Sequence, residues 1–174
     1  MKAYVLIALA FALSEMSWAD NPDCSKDNIF TGEMFELFVR NSLADDISFR
    51  FCVGEQSSYL ISALYQTPHV SKEYGIWPAV TYHSQIKLTV ETQAKIDDLY
   101  KTVLLRSRPD NVRGMDGSQW CFRPKSGNTY NELCFWSPTV SEGEEDKRGM
   151  IDISNLGTYL FDLSELANYG AELQ

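Results

Sequence analysis

Few residues of this 174-residue chain have the chemistry for catalysis, and its two histidines are the first to consider. A serine–histidine site would need His69 or His83 as its base. His83 lies beside a predicted strand, between a tyrosine and a serine, whereas His69 follows Thr67-Pro68 in a predicted loop. The sequence contains no G-x-S-x-G turn, no H-E-x-x-H pair and no glycine-rich phosphate-binding loop. His83 is therefore the better candidate for a catalytic histidine.

Two pairs of carboxylates could also serve a hydrolase. Glu33 with Glu36, and Asp162 with Glu165, are spaced so that each pair shares one face of a predicted helix. Paired carboxylates hydrolyse glycosides when one of them has a raised pKa and their separation suits the reaction. On an exposed helix face such neighbours more often serve solvation. A small secreted hydrolase acting on cell-wall material therefore remains an alternative function.

Four cysteines offer either disulfides or metal ligands. A zinc site would have to recruit a distant histidine, because the sequence has neither C-x-x-C nor H-x-x-x-H spacing. Four cysteines permit three disulfide pairings. We predict the pairs Cys24–Cys52 and Cys121–Cys134, which would leave no thiolate nucleophile. The sequence accordingly predicts neither a metal nor a cofactor.

The second pair belongs to the clearest structural pattern, the stretch QWCFRPKSGNTYNELCFW from Gln119 to Trp136. A hairpin turn at Gly127-Asn128 places Cys121 opposite Cys134. This register puts Trp136 on the outer face, where it covers the disulfide, is covered by the last helix, or contacts a partner. The same register pairs Arg123 with Glu132 and creates one wholly apolar face, consisting of Trp120, Phe122, Leu133 and Phe135.

A longer segment around this hairpin resembles other proteins. DGSQWCFRPKSGNTYNELCFWSP, from Asp116 to Pro138, is similar to a segment near the C-terminus of uncharacterised exported bacterial proteins, in which a leucine-rich helix follows. The resemblance implies export and a single domain, and it implies no activity.

The first nineteen residues indicate the route of export. Lys2, the apolar run Ala3–Leu13 and the small residues of Ser17-Trp18-Ala19 are typical of a signal peptide with cleavage near Ala19. We predict that residues 20–174 form a single periplasmic or secreted domain without membrane insertion. The formal net charge of −9 disfavours nucleic acid and anionic lipid as partners and suits a basic protein.

Apolar periodicity predicts the element order α-β-α-β-α-β-β-α. This order indicates an α+β fold with helices packed on one face of a largely antiparallel sheet, and with a final helix after the hairpin. The predicted helices cover residues 31–43, 55–66, 92–106 (capped by Thr92) and from 151 or 153 to 167. The predicted strands cover 47–53, 86–90 and the two sides of the hairpin, with 80–82 as a further candidate.

The charged segment Ser141–Gly149 has no periodicity and is predicted to be a loop. Its acids Glu142, Glu144, Glu145 and Asp146, together with Trp136, are our candidates for binding a partner. The leading hypothesis is a non-enzymatic immunity or inhibitor protein that neutralises a basic toxin or a cell-envelope hydrolase. The alternatives are the cell-wall hydrolase above and an envelope structural or assembly module.

Overall fold

A computed structural model describes residues 30–54, 57–66, 80–109, 111–124, 132–140 and 145–173. The strands form one six-stranded antiparallel sheet in the order β4-β3-β2-β1-β5-β6. This arrangement confirms the predicted α+β fold. The elements are β1 (Phe30–Asn41), β2 (Asp46–Gly54), β3 (Ser58–Tyr65), β4 (Val80–Lys87), α1 (Val90–Arg106), β5 (Ser118–Pro124), β6 (Leu133–Trp136), α2 (Ile151–Ser164) and a 3₁₀ turn (Leu166–Tyr169).

The apolar core lies between one face of this sheet and the helices. Phe35, Leu37 and Val39 of β1 alternate with residues that point to the other face, and all three are fully buried. The neighbouring strands follow the same alternation, because directly opposed residues of antiparallel strands share a face. The helical residues buried in this core are Ile96, Tyr100 and Val103 of α1 and Ile153, Leu156 and Leu160 of α2.

The predicted helix over 31–43 is wrong, because these residues form most of β1. Phe35, Phe38 and Val39 fit helical spacing, but β1 pairs with β2 on one side and with β5 on the other. Both pairings bury alternate residues of the strand. Tertiary pairing therefore outweighs a local pattern that also suited a helix.

The predicted helix over 55–66 is also wrong, because Ser58–Tyr65 forms β3 between β2 and β4. Leu60 and Leu64 belong to the core beneath the helices, while Ile61 packs in a second cluster with Cys52. A strand buried on both faces is a continuous apolar run. Periodicity alone does not distinguish such a run from a short buried helix.

The predicted boundaries elsewhere need smaller corrections. Residues 80–87 form the single strand β4, where we expected a short candidate strand and a separate one. The next helix begins at Val90, and its cap is Thr89, whose Oγ1 accepts a hydrogen bond from the Thr92 backbone N–H at 3.2 Å. No helix in the described part of the chain is both long and apolar enough to cross a bilayer.

The structure confirms the hairpin register. Cys121 lies opposite Cys134 and is bonded to it in a disulfide. Arg123 forms the predicted ion pair with Glu132. The turn at Gly127-Asn128 lies outside the described residues, so the register is known from the two strands. The other opposed pairs are Gln119 with Trp136, Trp120 with Phe135, and Phe122 with Leu133.

Helix α2 passes close to the Trp120 side chain of β5 at Gly157. Trp120 of β5 is fully buried, and its Nε1 donates a hydrogen bond to Ser118 Oγ at 2.7 Å. A Cβ atom on Gly157 would lie 2.1 Å from Trp120 Cζ3, which is well inside van der Waals contact. Only glycine therefore allows the helix to pack against this indole.

Candidate partner-binding site

The predicted partner-binding residues surround the connection between β6 and α2. Trp136 ends β6, while Glu145 and Asp146 lie shortly before α2. Glu142 and Glu144 lie outside the described residues. The guanidinium of Arg148 joins the two sides of the connection, because it donates to the carbonyls of Trp136 at 2.8 Å and Ser137 at 3.3 Å.

Trp136 lies on the outer face of the sheet, as predicted, and is half-buried. The backbone of the loop before β5 packs closely against its indole. A Cβ atom on Gly114 would lie 2.6 Å from Trp136 Nε1, and one on Gly117 would lie 3.4 Å from Cζ2. Trp136 therefore holds this loop in place, and only part of its side chain is accessible to a partner.

Asp146 caps helix α2 from outside the helix, because the N-cap residue, Met150, makes no side-chain hydrogen bond to the helix itself. Its carboxylate accepts hydrogen bonds from the backbone N–H groups of Met150 at 2.7 Å and Ile151 at 2.9 Å. Burial raises the pKa of Asp146, but backbone hydrogen bonds, that from Ile151 first, outweigh this effect and hold the pKa below its usual value. Asp146 thus has a structural role, which the interpretation as a binding residue did not foresee.

The cap makes a prediction about stability. We expect Asp146→Ala to lower the free energy of unfolding at neutral pH by about 1 kcal/mol, because two N-terminal amides lose their acceptor. The folded-state pKa is lowered, so this contribution is complete above the unfolded-state pKa and disappears as pH falls through the folded-state value. Urea unfolding at neutral and acidic pH measures it. Glu145→Ala is the control, and an equal loss in both variants at neutral pH would contradict the capping role.

A small cavity of about 150 Å³ lies between the end of β6 and the start of α2. It is smaller than pockets for drug-sized ligands, which occupy roughly 300–1,000 Å³. Arg148 and Asp146 already bind backbone groups there. Glu145 and Lys147 lie 4.0 Å apart, and both are highly exposed. The cavity has room for one side chain of a partner. Its lining residues are Ser137, Thr139, Val140, Glu145, Asp146, Lys147, Arg148 and Met150.

The candidate catalytic residues do not come together in the described part of the chain. His83 is exposed on β4, and no carboxylate described here contacts it. Glu33 binds Arg50 at 2.6 Å, and Glu36 binds Arg123 at 3.2 Å, both from a strand. The predicted helical pair of these two glutamates is therefore wrong. Asp162 and Glu165 are exposed at the end of α2, and His69 lies outside the described residues.

The cysteines serve as cross-links. Cys121, Cys134 and Glu132 are the one group of possible metal ligands among the residues described here, with their ligand atoms within 4.8 Å of one another. Both sulfurs of this group are already bonded to each other. Cys52 is buried and disulfide-bonded. Its predicted partner, Cys24, lies outside the described residues.

Sequence reasoning missed two structural contacts in this region. The Arg148 contacts to main-chain carbonyls depend on how β6 and α2 meet, and no sequence pattern signals them. The Asp146 cap had a signal, because an acid shortly before an apolar helical segment is typical of a helix N-terminus. Comparison with known proteins adds no information: no family model, no curated protein and no solved structure matches the chain.

Proposed function

We propose that this chain is an exported, non-enzymatic binding protein of the immunity or inhibitor type, which neutralises a basic toxin or cell-envelope hydrolase. One observation carries the proposal. The acid-rich connection between β6 and α2 is anchored on both sides, by Arg148 on the carbonyl of Trp136 and by Asp146 on the first amides of α2. Between these anchors, the side chain of Glu145 is 82% exposed.

The two anchors reduce the conformational entropy that the connection loses when a partner binds. A charged segment whose two sides are already held loses less conformational freedom when a partner binds than a free loop would lose. Glu145, the described acid between the anchors, remains in solvent, where it attracts a basic surface over roughly 10 Å at an ionic strength of about 0.1 M. Together with the net charge of −9, this attraction speeds encounter with a cationic partner.

The cavity beside the anchors supplies a place for a contact residue. Its volume of about 150 Å³ accommodates one side chain, and Glu145 contributes to its wall. A lysine or arginine of the partner entering the cavity would compete for this carboxylate with Lys147, which lies 4.0 Å from it and is highly exposed. The accessible part of Trp136 lies next to the cavity through Ser137, and partly exposed tryptophans are frequent anchors of protein interfaces. The site therefore suits a protein partner better than a metabolite.

Export is the second part of the proposal. The Cys121–Cys134 disulfide is compatible with an oxidising compartment, where such bonds form and persist. The predicted signal peptide, which ends near Ala19, would deliver the chain to the periplasm or the exterior. A protein that neutralises an envelope hydrolase would have to act in that compartment.

Neutralising the acids between the anchors tests the site. We expect the triple variant Glu142→Gln, Glu144→Gln, Glu145→Gln to weaken inhibition of a sensitive hydrolase at least about tenfold at low salt, because long-range attraction is lost. Asp146 stays unchanged, so that the α2 cap is preserved. The measurement is the inhibition constant against a panel of purified basic peptidoglycan hydrolases, at low and high salt.

The matched control removes the same charge elsewhere. Glu91→Gln, Asp98→Asn and Asp162→Asn together neutralise three exposed carboxylates on the helices. If net charge alone mattered, both triple variants would lose inhibition equally, and the assignment of the site would be wrong. If instead the chain itself degraded peptidoglycan and His83→Ala abolished that activity, the hydrolase alternative would replace the inhibitor role.

A further inference from the structure

The two edges of the sheet are formed by β4 and β6, and they differ in length. Strand β4 has eight residues, whereas β6 has four. An edge strand carries a row of backbone donors and acceptors that another strand can bind, unless the protein covers them. The edge strand whose outward backbone groups are not covered is the one that can bind a further strand.

The outward groups of β4 follow from its register with β3. Leu88 N–H donates to the Ser58 carbonyl at 2.9 Å, so these two residues form a hydrogen-bonded pair. Such pairs alternate with non-bonded pairs along antiparallel strands. Lys87, Gln85 and His83 therefore direct their backbone N–H and C=O groups away from β3. Within the described ranges, nothing pairs with this side of β4.

The outward backbone groups of β6 are less available than those of β4. Ser137 N–H donates to the Ser118 carbonyl at 2.7 Å, so the same alternation directs the backbone of Trp136 outward. The Arg148 guanidinium donates a hydrogen bond to that outward carbonyl at 2.8 Å. Beyond it, Ser137 adopts a left-handed conformation with φ of 38°, and Pro138 follows. An added strand would find no continuous row of free groups at this edge.

The surroundings of β4 indicate what kind of strand would fit. On the helix side, Tyr169 stacks on Tyr82 with ring centroids 3.5 Å apart and remains 52% exposed. Val90, which follows the strand, is 78% exposed on the surface. On the other side, His83 and Gln85 are polar and exposed. A partner strand therefore needs apolar residues towards the helices and polar residues on the opposite face.

We propose that β4 pairs with β4 of a second copy of this chain, antiparallel and centred on Ser84. This register places Tyr82 opposite Ile86 and His83 opposite Gln85, so that apolar residues meet on the helix side and polar residues meet on the other. It also places Lys87 opposite Thr81, which avoids contact between like charges. The two sheets become one, and both sets of helices lie on the same face.

The residue at the centre supports this register. Ser84 Oγ is buried and makes no hydrogen bond of normal geometry within the part of the chain described here, with the Tyr82 hydroxyl on the same face of β4 as its polar neighbour. A buried polar group without a partner is costly, and most such groups in folded proteins are satisfied. Across the two-fold axis of this dimer, the two Ser84 residues lie opposite each other, and rotation of each hydroxyl about its Cα–Cβ bond would allow a hydrogen bond between them. Self-pairing thus relieves an unsatisfied group, and it does not depend on the inhibitor role.

Disulfide trapping tests the register. Opposed residues of a non-bonded antiparallel pair lie close enough for a disulfide, as Cys121 and Cys134 do with Cα atoms 4.1 Å apart. Two Ser84 residues would form such a pair. We expect Ser84→Cys to give a disulfide-linked dimer under mild oxidation and Gln85→Cys to remain uncrosslinked, as judged by non-reducing electrophoresis. Crosslinking of Gln85→Cys in preference to Ser84→Cys would overturn the register.

A pair of charge variants tests self-association without cysteines. In Thr81→Glu the new carboxylate would attract Lys87 of the other copy, whereas in Thr81→Lys the new ammonium group would repel it. Both variants lose the Thr81 hydroxyl, so their difference isolates the contact between copies. Sedimentation equilibrium of the oxidised chain should give dimer dissociation constants about tenfold apart, with Thr81→Glu the tighter. Wild type that stays monomeric at millimolar concentration, or equal constants for the two variants, would overturn the proposal.

Discussion

Replacing Gly157 with alanine is expected to destabilise the fold by about 3 kcal/mol, at the upper end of the usual cost of overpacking a core. In a helix without close neighbours the same change stabilises by up to about 1 kcal/mol, because alanine has the higher helix propensity. Here the new methyl group would lie 2.1 Å from Trp120 Cζ3, and Trp120 is fully buried. The sign of the effect therefore reports the contact between α2 and β5.

Denaturant unfolding measures this effect, with Asn155→Ala as the control at an exposed position of the same helix. The control should change stability by less than about 0.5 kcal/mol. Because the methyl group clashes with the indole, Trp120→Leu should cost less in the Gly157→Ala background than in the wild type. Additive costs, or a stabilising Gly157→Ala, would show that the helix does not lie against Trp120.

Removing the hairpin disulfide should have an effect of similar size. Cys121 and Cys134 are thirteen residues apart in sequence. Without the bond, the unfolded chain gains conformational entropy, which for a loop of this length lowers the stability of the fold by about 3 kcal/mol. We expect Cys121→Ala with Cys134→Ala to lower the free energy of unfolding by that amount. The strand register should survive, because β5 also pairs with β1 along its length.

The double variant is preferable to chemical reduction, since Cys52 is also disulfide-bonded and a reductant would break both links. The comparison is urea unfolding of the wild type and the double variant, both oxidised. The fold itself is checked by near-ultraviolet circular dichroism, which reports the packing of Trp120. A loss below about 0.5 kcal/mol would mean that the hairpin is held by its neighbours and gains little from the covalent bond.

The sequence was most informative where structure depends on nearby residues. The hairpin register followed from alternation around one turn, and the pairs from Gln119 with Trp136 to Phe122 with Leu133 are as predicted. The helix over 92–106 was also recognisable, since it is long and its apolar residues repeat at helical spacing. In both cases the decisive contacts lie within about twenty residues along the chain.

The two incorrect helices are strands whose apolar residues also fit helical spacing. Phe35 and Phe38 satisfy helical spacing, but β1 is a strand because it pairs with β2, which follows it, and with β5, about eighty residues later. Ser58–Tyr65 is buried on both faces, and its sequence, SYLISALY, shows no alternation of apolar and polar residues. The candidate site shows the same division. An acid-rich connection was visible in the sequence, whereas the hydrogen bond from Arg148 to the Trp136 carbonyl forms only when β6 meets α2.

The most direct test of the proposed function is capture of a partner by the oxidised mature chain. Three baits would be compared at low and high salt: the wild type, the variant with Glu142, Glu144 and Glu145 changed to glutamine, and the control variant with three helix carboxylates neutralised. We predict that the wild type and the control retain a stoichiometric, salt-sensitive partner with toxin or hydrolase activity, and that the first variant loses it. Equal capture by all three baits, or no partner at either salt concentration, would contradict the proposal.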